Sequence, residues 1–425
     1  MLKKIKSPGL IGGSATYLLS NVLSAAAPFL LLPVLTRYLH PEEYGRIAMF
    51  QTAQAAFAAV IGLSVVGAAG RKYYDANLNK EEHKFFIGAC FLILAVTTSI
   101  ALFVLMGFED AFASMSGLDG SWLIASAFCA AFGFIQQMRM TQWQMQKQSG
   151  LYAAMQIGAS VCLVAFSLLF VIALAKGAAG RVIAQVVSSL IFGVLALAFL
   201  YKDGLLGFAW RPAYIREALS FGAPLIPHSI GILLLGYCDR VVINDQLGLA
   251  EAGAYTVAFQ LASVFGMVTF AINNAYVPWL FERLQRDDPQ EKREIVKWTY
   301  WYFAIALALA GAVFVVGPFA INLIAGERYD SAAPAIGWLA LTQAFAGMYL
   351  MVTNYILYSK KTGLLSLVTI GSGALDVALL FALTSRFGLA GAGMAGAIAM
   401  AARFLFTWRV AQLRHPMPWF NLKTA

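Results

Sequence analysis

Apolar runs long enough to cross a bilayer recur along almost the whole 425-residue chain, separated by short polar gaps. They cover Gly13 to Thr36, Ile47 to Ala69, Phe85 to Phe108, Trp122 to Met140, Leu151 to Ala175 and Val182 to Tyr201. Six more follow: Leu219 to Ile243, Ala252 to Val277, Trp298 to Ile324, Ala335 to Tyr358, Leu364 to Thr384 and Met394 to Leu413. Lipid offers a backbone no hydrogen-bond partners, so a span of about 20 mostly apolar residues has to be an internally bonded helix. The pattern predicts an all-α multi-pass membrane protein with twelve spans.

The gaps alternate in charge. Lys and Arg resist translocation and collect on the cytoplasmic side. With span-edge residues assigned to the adjoining loop and the N-terminus placed inside, 22 Lys and Arg fall in the tails and even-numbered loops and 7 in the odd-numbered loops, while Arg403 lies within a span. The loop from Glu109 to Ser121 has acids and no Lys or Arg, whereas the loop after the eighth span carries Arg283, Arg286, Lys292, Arg293 and Lys297. Both termini are therefore expected in the cytoplasm.

A composition of 60% hydrophobic and 12% charged residues leaves no room for a large soluble domain. The net charge of +9 sits mostly in short loops facing anionic headgroups, so topology accounts for it and nucleic-acid binding is not expected. Lys3, Lys4 and Lys6 before an apolar run imitate a signal peptide, with Ala25 and Ala27 imitating a cleavage site. The apolar run is too long for that, and a retained first helix is expected. Cys90, Cys129, Cys162 and Cys238 fall on different spans with no metal-ligand spacing, so neither a disulfide nor a metal is expected. With no Gly-rich nucleotide loop and no nucleophile elbow, the reading is a transporter without cofactor, neither an ATP-driven machine nor an enzyme.

The chain also repeats itself weakly. An offset of 208 lays Leu39, Glu43 and Gly45 over Leu247, Glu251 and Gly253; an offset of 211 lays Gly177-Ala178-Ala179-Gly180 over Gly388-Leu389-Ala390-Gly391 and Ala184 over Ala395. The matches predict two lobes, residues 1–210 with helices one to six and 211–425 with helices seven to twelve, around a central cavity. Six spans is an even number, so both lobes would enter the membrane in the same direction. Pro28 and Pro33 in span one and Pro224 and Pro227 at the start of span seven predict bends at equivalent places.

Ser220 to Gln260, SFGAPLIPHSIGILLLGYCDRVVINDQLGLAEAGAYTVAFQ, with the Leu39 to Gly45 segment LHPEEYG, the Arg71 to Tyr74 run RKYY, Arg139 before the fifth span and Pro278-Trp279-Leu280-Phe281, carry a family resemblance. In this order they resemble the polysaccharide-transport, Wzx-like flippases of the multidrug/oligosaccharidyl-lipid/polysaccharide exporter (MOP) superfamily. The resemblance implies a MATE-like fold of two six-helix bundles facing a cleft. It also implies alternating-access transfer of an oligosaccharide linked to undecaprenyl diphosphate across a bacterial inner membrane, for surface polysaccharide or O-antigen biosynthesis. A polysaccharide polymerase and chain-length proteins would be its partners.

Moving a diphosphate through hydrocarbon calls for cationic, always-charged groups at depth, and arginine pairs with phosphate oxygens through a planar fork. Arg71, Arg139, Arg240 and Arg403 lie within or beside spans and are the candidate lining. Arg71 and Arg139, at helix ends, also read as snorkelling anchors. Asp239 and Arg240 are neighbours about 100° apart on a helix, so they are not expected to neutralise each other, and at least one needs a partner elsewhere. Asp376 and Arg403 flank Gly388 by 12 and 15 residues, which puts them at comparable depth, either as an ion pair or with Asp376 exchanging H+ or Na+. Asn21, Gln51, Gln54, Gln136, Gln137, Asn273, Asn274, Asn322 and Asn354 either bond sugar hydroxyls or join helices. His228 is expected to bond between helices.

Three other functions remain open. A multidrug or metabolite antiporter on the same fold would want cavity acids, against the basic excess here. A polymerase or ligase usually has a sizeable external loop, and the longest here is about 13 residues. A non-transporting scaffold of a glycan assembly complex would look the same in hydropathy.

Overall fold

The computed structural model describes residues 10–75, 79–359 and 363–419, and every regular element among them is helical. Lys3, Lys4 and Lys6 lie outside the described residues. The helices are α1 (Leu10–Tyr38), α2 (Pro41–Val60), α3 (Val65–Lys72), α4 (Lys80–Gly107), α5 (Glu109–Ser116), α6 (Gly120–Met145) and α7 (Ser149–Ser167). They continue with α8 (Gly177–Lys202), α9 (Pro212–Gly222), α10 (Ile226–Leu247), α11 (Leu249–Arg286), α12 (Pro289–Ala325), α13 (Ala333–Tyr358) and α14 (Gly363–Arg414).

Among the described residues, ten helical segments are long and apolar enough to cross a membrane, and α2 with α3, bent by 51°, makes an eleventh. The bend has a local cause: Gly62, Leu63 and Ser64 all take positive φ, and Gly62 N donates instead to Thr97 Oγ1 at 2.9 Å. α14 is one unbroken stretch only in name, because Gly388 sits inside it at φ 57°, ψ −139°. Thr369 and Arg403, 34 residues apart, would be about 50 Å apart on a straight helix. Instead Arg403 Nη2 donates to Thr369 Oγ1 at 3.2 Å, so the chain reverses at Gly388. Dividing α14 there gives the twelve crossings that hydropathy predicts.

Gly388 is at a conformation that essentially only glycine occupies. Gly388→Ala is expected to cost about 1–3 kcal/mol. It should lower the melting temperature of the purified protein, while Gly311→Ala, where a new Cβ meets nothing within 4 Å, should not. Equal melting temperatures for the two variants would show that the backbone at Gly388 does not require glycine.

Contacts between loops separate two faces. The Glu43 carboxylate caps α2 by accepting from His40 N and also accepts from Ala178 N, each at 3.1 Å, joining the loops after spans one and five. On the other face Arg139 pairs with Asp203, joining the ends of spans four and six, and Lys72 at the end of span two pairs at 2.8 Å with Glu217 of α9, which leads into span seven. This alternation is what single crossings require.

The chain forms two compact units, Met1–Leu233 and Leu234–Ala425. The division falls inside α10, whereas the sequence reading put it at 210/211. α9 accounts for the difference, because it packs on α3 and α4 and holds Lys72 through Glu217. Ile61, Phe86, Ile87, Leu94, Met138 and Leu200 lie in the core of the first unit; Leu280, Ile295, Phe303, Met351, Tyr355 and Trp419 lie in that of the second. Phe103 and Val315 are 79% and 80% exposed, as apolar side chains on membrane-crossing helices can be where the surrounding medium is lipid. The repeat has a structural counterpart: Gly177 and Gly388 have φ of 55° and 57°. Gly180 and Gly391 each press on a backbone carbonyl of the preceding segment, Phe170 O and Leu383 O, where a Cβ would overlap.

Candidate functional site

In the second unit, α10 places Asp239 and Arg240 side by side, both buried. Arg240 Nη1 donates to Asp239 Oδ1 at 2.6 Å and to Gly236 O at 2.5 Å. The expectation that these neighbours do not neutralise each other is therefore corrected. The flexible arginine stem folds back along the helix, and Gly236, with no side chain, leaves its carbonyl open to the guanidinium. Phe259 of α11 covers the guanidinium at 4.1 Å, with Tyr237 and Tyr255 each at 5.8 Å.

Asp376, on the first half of α14, is 5% exposed and its Oδ1 has no hydrogen-bond partner among the described residues. It lies within electrostatic reach of Asp239, and Tyr255 is within electrostatic reach of Asp239, Arg240 and Asp376. The cluster thus holds two carboxylates against one guanidinium.

Arg403, on the second half of α14, is a different kind of group. Its Nη2 donates to Tyr349 Oη at 3.1 Å and Thr369 Oγ1 at 3.2 Å, and its guanidinium stacks 4.1 Å above the Tyr349 ring. Its Nε is buried without a hydrogen-bond partner among the described residues, and no described carboxylate pairs with it. Of the two arrangements left open for Asp376 and Arg403, the ion pair does not form among the described residues. Three helical segments fix this charge without neutralising it.

In the first unit Arg139 is 1% exposed, pairs with Asp203 at the end of α8 and stacks on Trp143 at 4.4 Å. That makes it a clasp between α6 and α8. Arg71 is exposed at the end of α3, 5.7 Å from the Phe221 ring centroid. The polar candidates divide as well. Asn354 donates to Asn273 at 2.8 Å, a buried join between α13 and α11. Asn322 donates to Asp330 at 3.2 Å, Asn21 accepts from Tyr152 at 3.3 Å, and Gln136 faces Met140. Gln51 and Gln54 are half-buried on α2; Gln137 and Asn274 are exposed. His228 is exposed, with no hydrogen bond to a described residue, where a helix–helix bond was expected.

Sequence reasoning missed Tyr255, Phe259, Tyr349 and Thr369, the partners of the arginines, because aromatic and hydroxyl residues in spans carry no periodic mark. It also passed over Arg181, which is 7% exposed and makes a 3.4 Å contact to Gln185. Its position one residue before an apolar run was the available signal.

The fold is that of a solved class. At TM-score 0.76 and 12% identity, the structure matches a lipid II flippase MurJ in an inward closed conformation over 95% of this chain and 87% of that one. At TM-score 0.73 and 14% identity, it matches an inward-facing multidrug resistance MATE family transporter of the MOP superfamily over 94% and 98%. The class is therefore an all-α, multi-pass integral membrane protein with the MOP transporter fold. The family description "Polysaccharide biosynthesis protein" matches residues 10–285, and the chain belongs to that family. Among curated relatives, the "Lsg locus putative protein 1" of Haemophilus influenzae is 28% identical, with 87% of this chain and 90% of the relative covered. The "Putative O-antigen transporter" of Shigella flexneri is 20% identical, with 91% and 96% covered.

Proposed function

We propose that the protein is a flippase for a lipid-linked saccharide, moving an undecaprenyl diphosphate-linked oligosaccharide across the bacterial inner membrane by alternating access, with both termini cytoplasmic. The observation that carries this reading is Arg403: a guanidinium fixed at membrane depth by Tyr349 and Thr369 and paired with no described carboxylate. An uncompensated charge there is costly and is retained where something anionic visits it. A diphosphate has the geometry the guanidinium fork accepts. Family membership and the O-antigen transporter relative support the substrate class. Polysaccharide polymerase and chain-length proteins would act on either side of this step.

The Asp239–Arg240–Asp376 cluster has a surplus carboxylate, which suits a coupling cation, H+ or Na+. In liposomes holding a lipid-diphosphate-linked oligosaccharide, the protein is expected to speed exposure of inner-leaflet headgroups to an impermeant glycan-modifying reagent. An imposed proton or sodium gradient should change that rate. Asp376→Asn should abolish the gradient response and leave downhill flipping. If the folded protein with a matched glycan is no faster than protein-free liposomes, the antiporter or scaffold reading takes its place. An Asp376→Asn variant that still responds to the gradient would move coupling elsewhere.

A further inference from the structure

The stretch from Pro212 to Leu247 is 36 residues of apolar helix, about 54 Å long if straight, against a hydrocarbon core of about 30 Å. The 22 residues of α10 suffice for the crossing, at about 33 Å. A turn of tighter helix at Ala223–Leu225, built around Pro224, separates it from α9. α9 is left over for the headgroup layer.

Its two faces suit that place. Tyr214, Ala218 and Phe221 pack into the core of the first unit, and the half-buried Ile215 and Leu219 touch it at its edge. Pro212, Ile215, Arg216, Leu219 and Ser220, spaced as one helical stripe, line an open, almost wholly apolar groove of about 490 Å³ together with Trp210. Trp210 is 77% exposed, and Phe208 beside it is also exposed.

Charge around the groove is one-sided. The acids of this stretch are already engaged, Asp203 by Arg139 and Glu217 by Lys72. Lys84, Lys202, Arg211 and Arg216 have no ion pair among the described residues. Arg211, between the groove residues Trp210 and Pro212, lies over the Phe85 ring at 4.4 Å, and Lys84 lies over the same ring at 5.8 Å.

We propose that α9 and the segment before it form a binding site for one anionic glycerophospholipid of the adjoining leaflet, its phosphate against Arg211 and Arg216 and an acyl chain along the Pro212–Ile215–Leu219 groove. Charge complementarity selects an anionic headgroup, and the apolar groove selects a lipid over a free anion. Trp210 sits where an amphipathic ring meets the interface. The site needs no transport, so it stands or falls apart from the flippase reading.

Native mass spectrometry of the full-length protein, offered equal dioleoyl phosphatidylglycerol and phosphatidylcholine, tests it. The protein is expected to retain phosphatidylglycerol preferentially. Each cation near an anionic surface is worth about five-fold in binding, so Arg211→Gln with Arg216→Gln should cut the retention about 25-fold. Ser220→Glu, at an exposed position that tolerates it, should cut retention as well. Arg283→Gln with Arg286→Gln removes equal charge from the second unit and should change nothing. Equal losses in both double variants would make the effect one of overall charge and overturn the site. Displacement of the lipid by millimolar inorganic phosphate would overturn the lipid as occupant, and displacement by an undecaprenyl diphosphate at equal concentration would reassign the groove to the transported substrate.

Discussion

Arg403→Gln is expected to slow lipid-linked saccharide flipping between about ten- and 150-fold, the loss of one charge-assisted contact worth about 1.5–3 kcal/mol. The fold should survive the change. Gln still reaches a hydroxyl of Tyr349 or Thr369, and removing a charge that no described carboxylate balances takes away a cost as well as a contact. Arg403→Lys separates charge from shape: it keeps the cation but loses the planar fork, and an intermediate rate is expected. The liposome headgroup-exposure rate, measured on protein with an unchanged melting temperature, is the readout. A Gln variant that flips at the wild-type rate would show that Arg403 is a helix-joining residue, held only by Tyr349 and Thr369.

The second large effect is on stability and is asymmetric. Asp203→Ala is expected to destabilise the first unit by about 2–3 kcal/mol, because it leaves the Arg139 guanidinium, 1% exposed, without its counter-charge. The figure stays below the full cost of breaking a buried pair because the Asp203 side chain is 44% exposed and already shares its charge with solvent. Arg139→Met should cost only about 1 kcal/mol: the orphaned carboxylate hydrates, and methionine keeps packing against Trp143 in place of the stacked guanidinium. Thermal unfolding of both variants in one detergent gives the order. An Arg139→Met protein less stable than Asp203→Ala would mean that the stacking, and not the charge pair, holds α6 to α8. Flipping should follow stability in both variants, since Arg139 is already committed to Asp203.

The sequence by itself determined the crossings, since lipid forces any long apolar run into an internally bonded helix. Gly388 was legible as the turn between the last two spans; the left-handed run Gly62–Ser64, which bends α2 into α3 within a single apolar run, was not. The Gly177 and Gly388 turns were legible as a repeat because a positive φ leaves its mark on residue type, one glycine for one backbone conformation. The membership of α9 was not legible. Its amphipathic pattern says that one face is covered, and only the packing on α3 and α4 says by what.

The charged site was half legible. Hydropathy finds an arginine within a span, because its cost there is intrinsic to the residue. What neutralises it depends on side chains that arrive from other helices. Four arginines that looked alike along the chain therefore parted in the fold: Arg71 at the surface, Arg139 clasped by Asp203, Arg240 folded back on Asp239 under Phe259, and Arg403 held by two hydroxyls and the Tyr349 ring. Asp376 and Arg403 likewise share a depth but not a contact. Depth follows from residue number at a fixed rise per residue, whereas the direction a side chain faces and the partner it meets follow from how helices pack, and that was decided only by the tertiary structure.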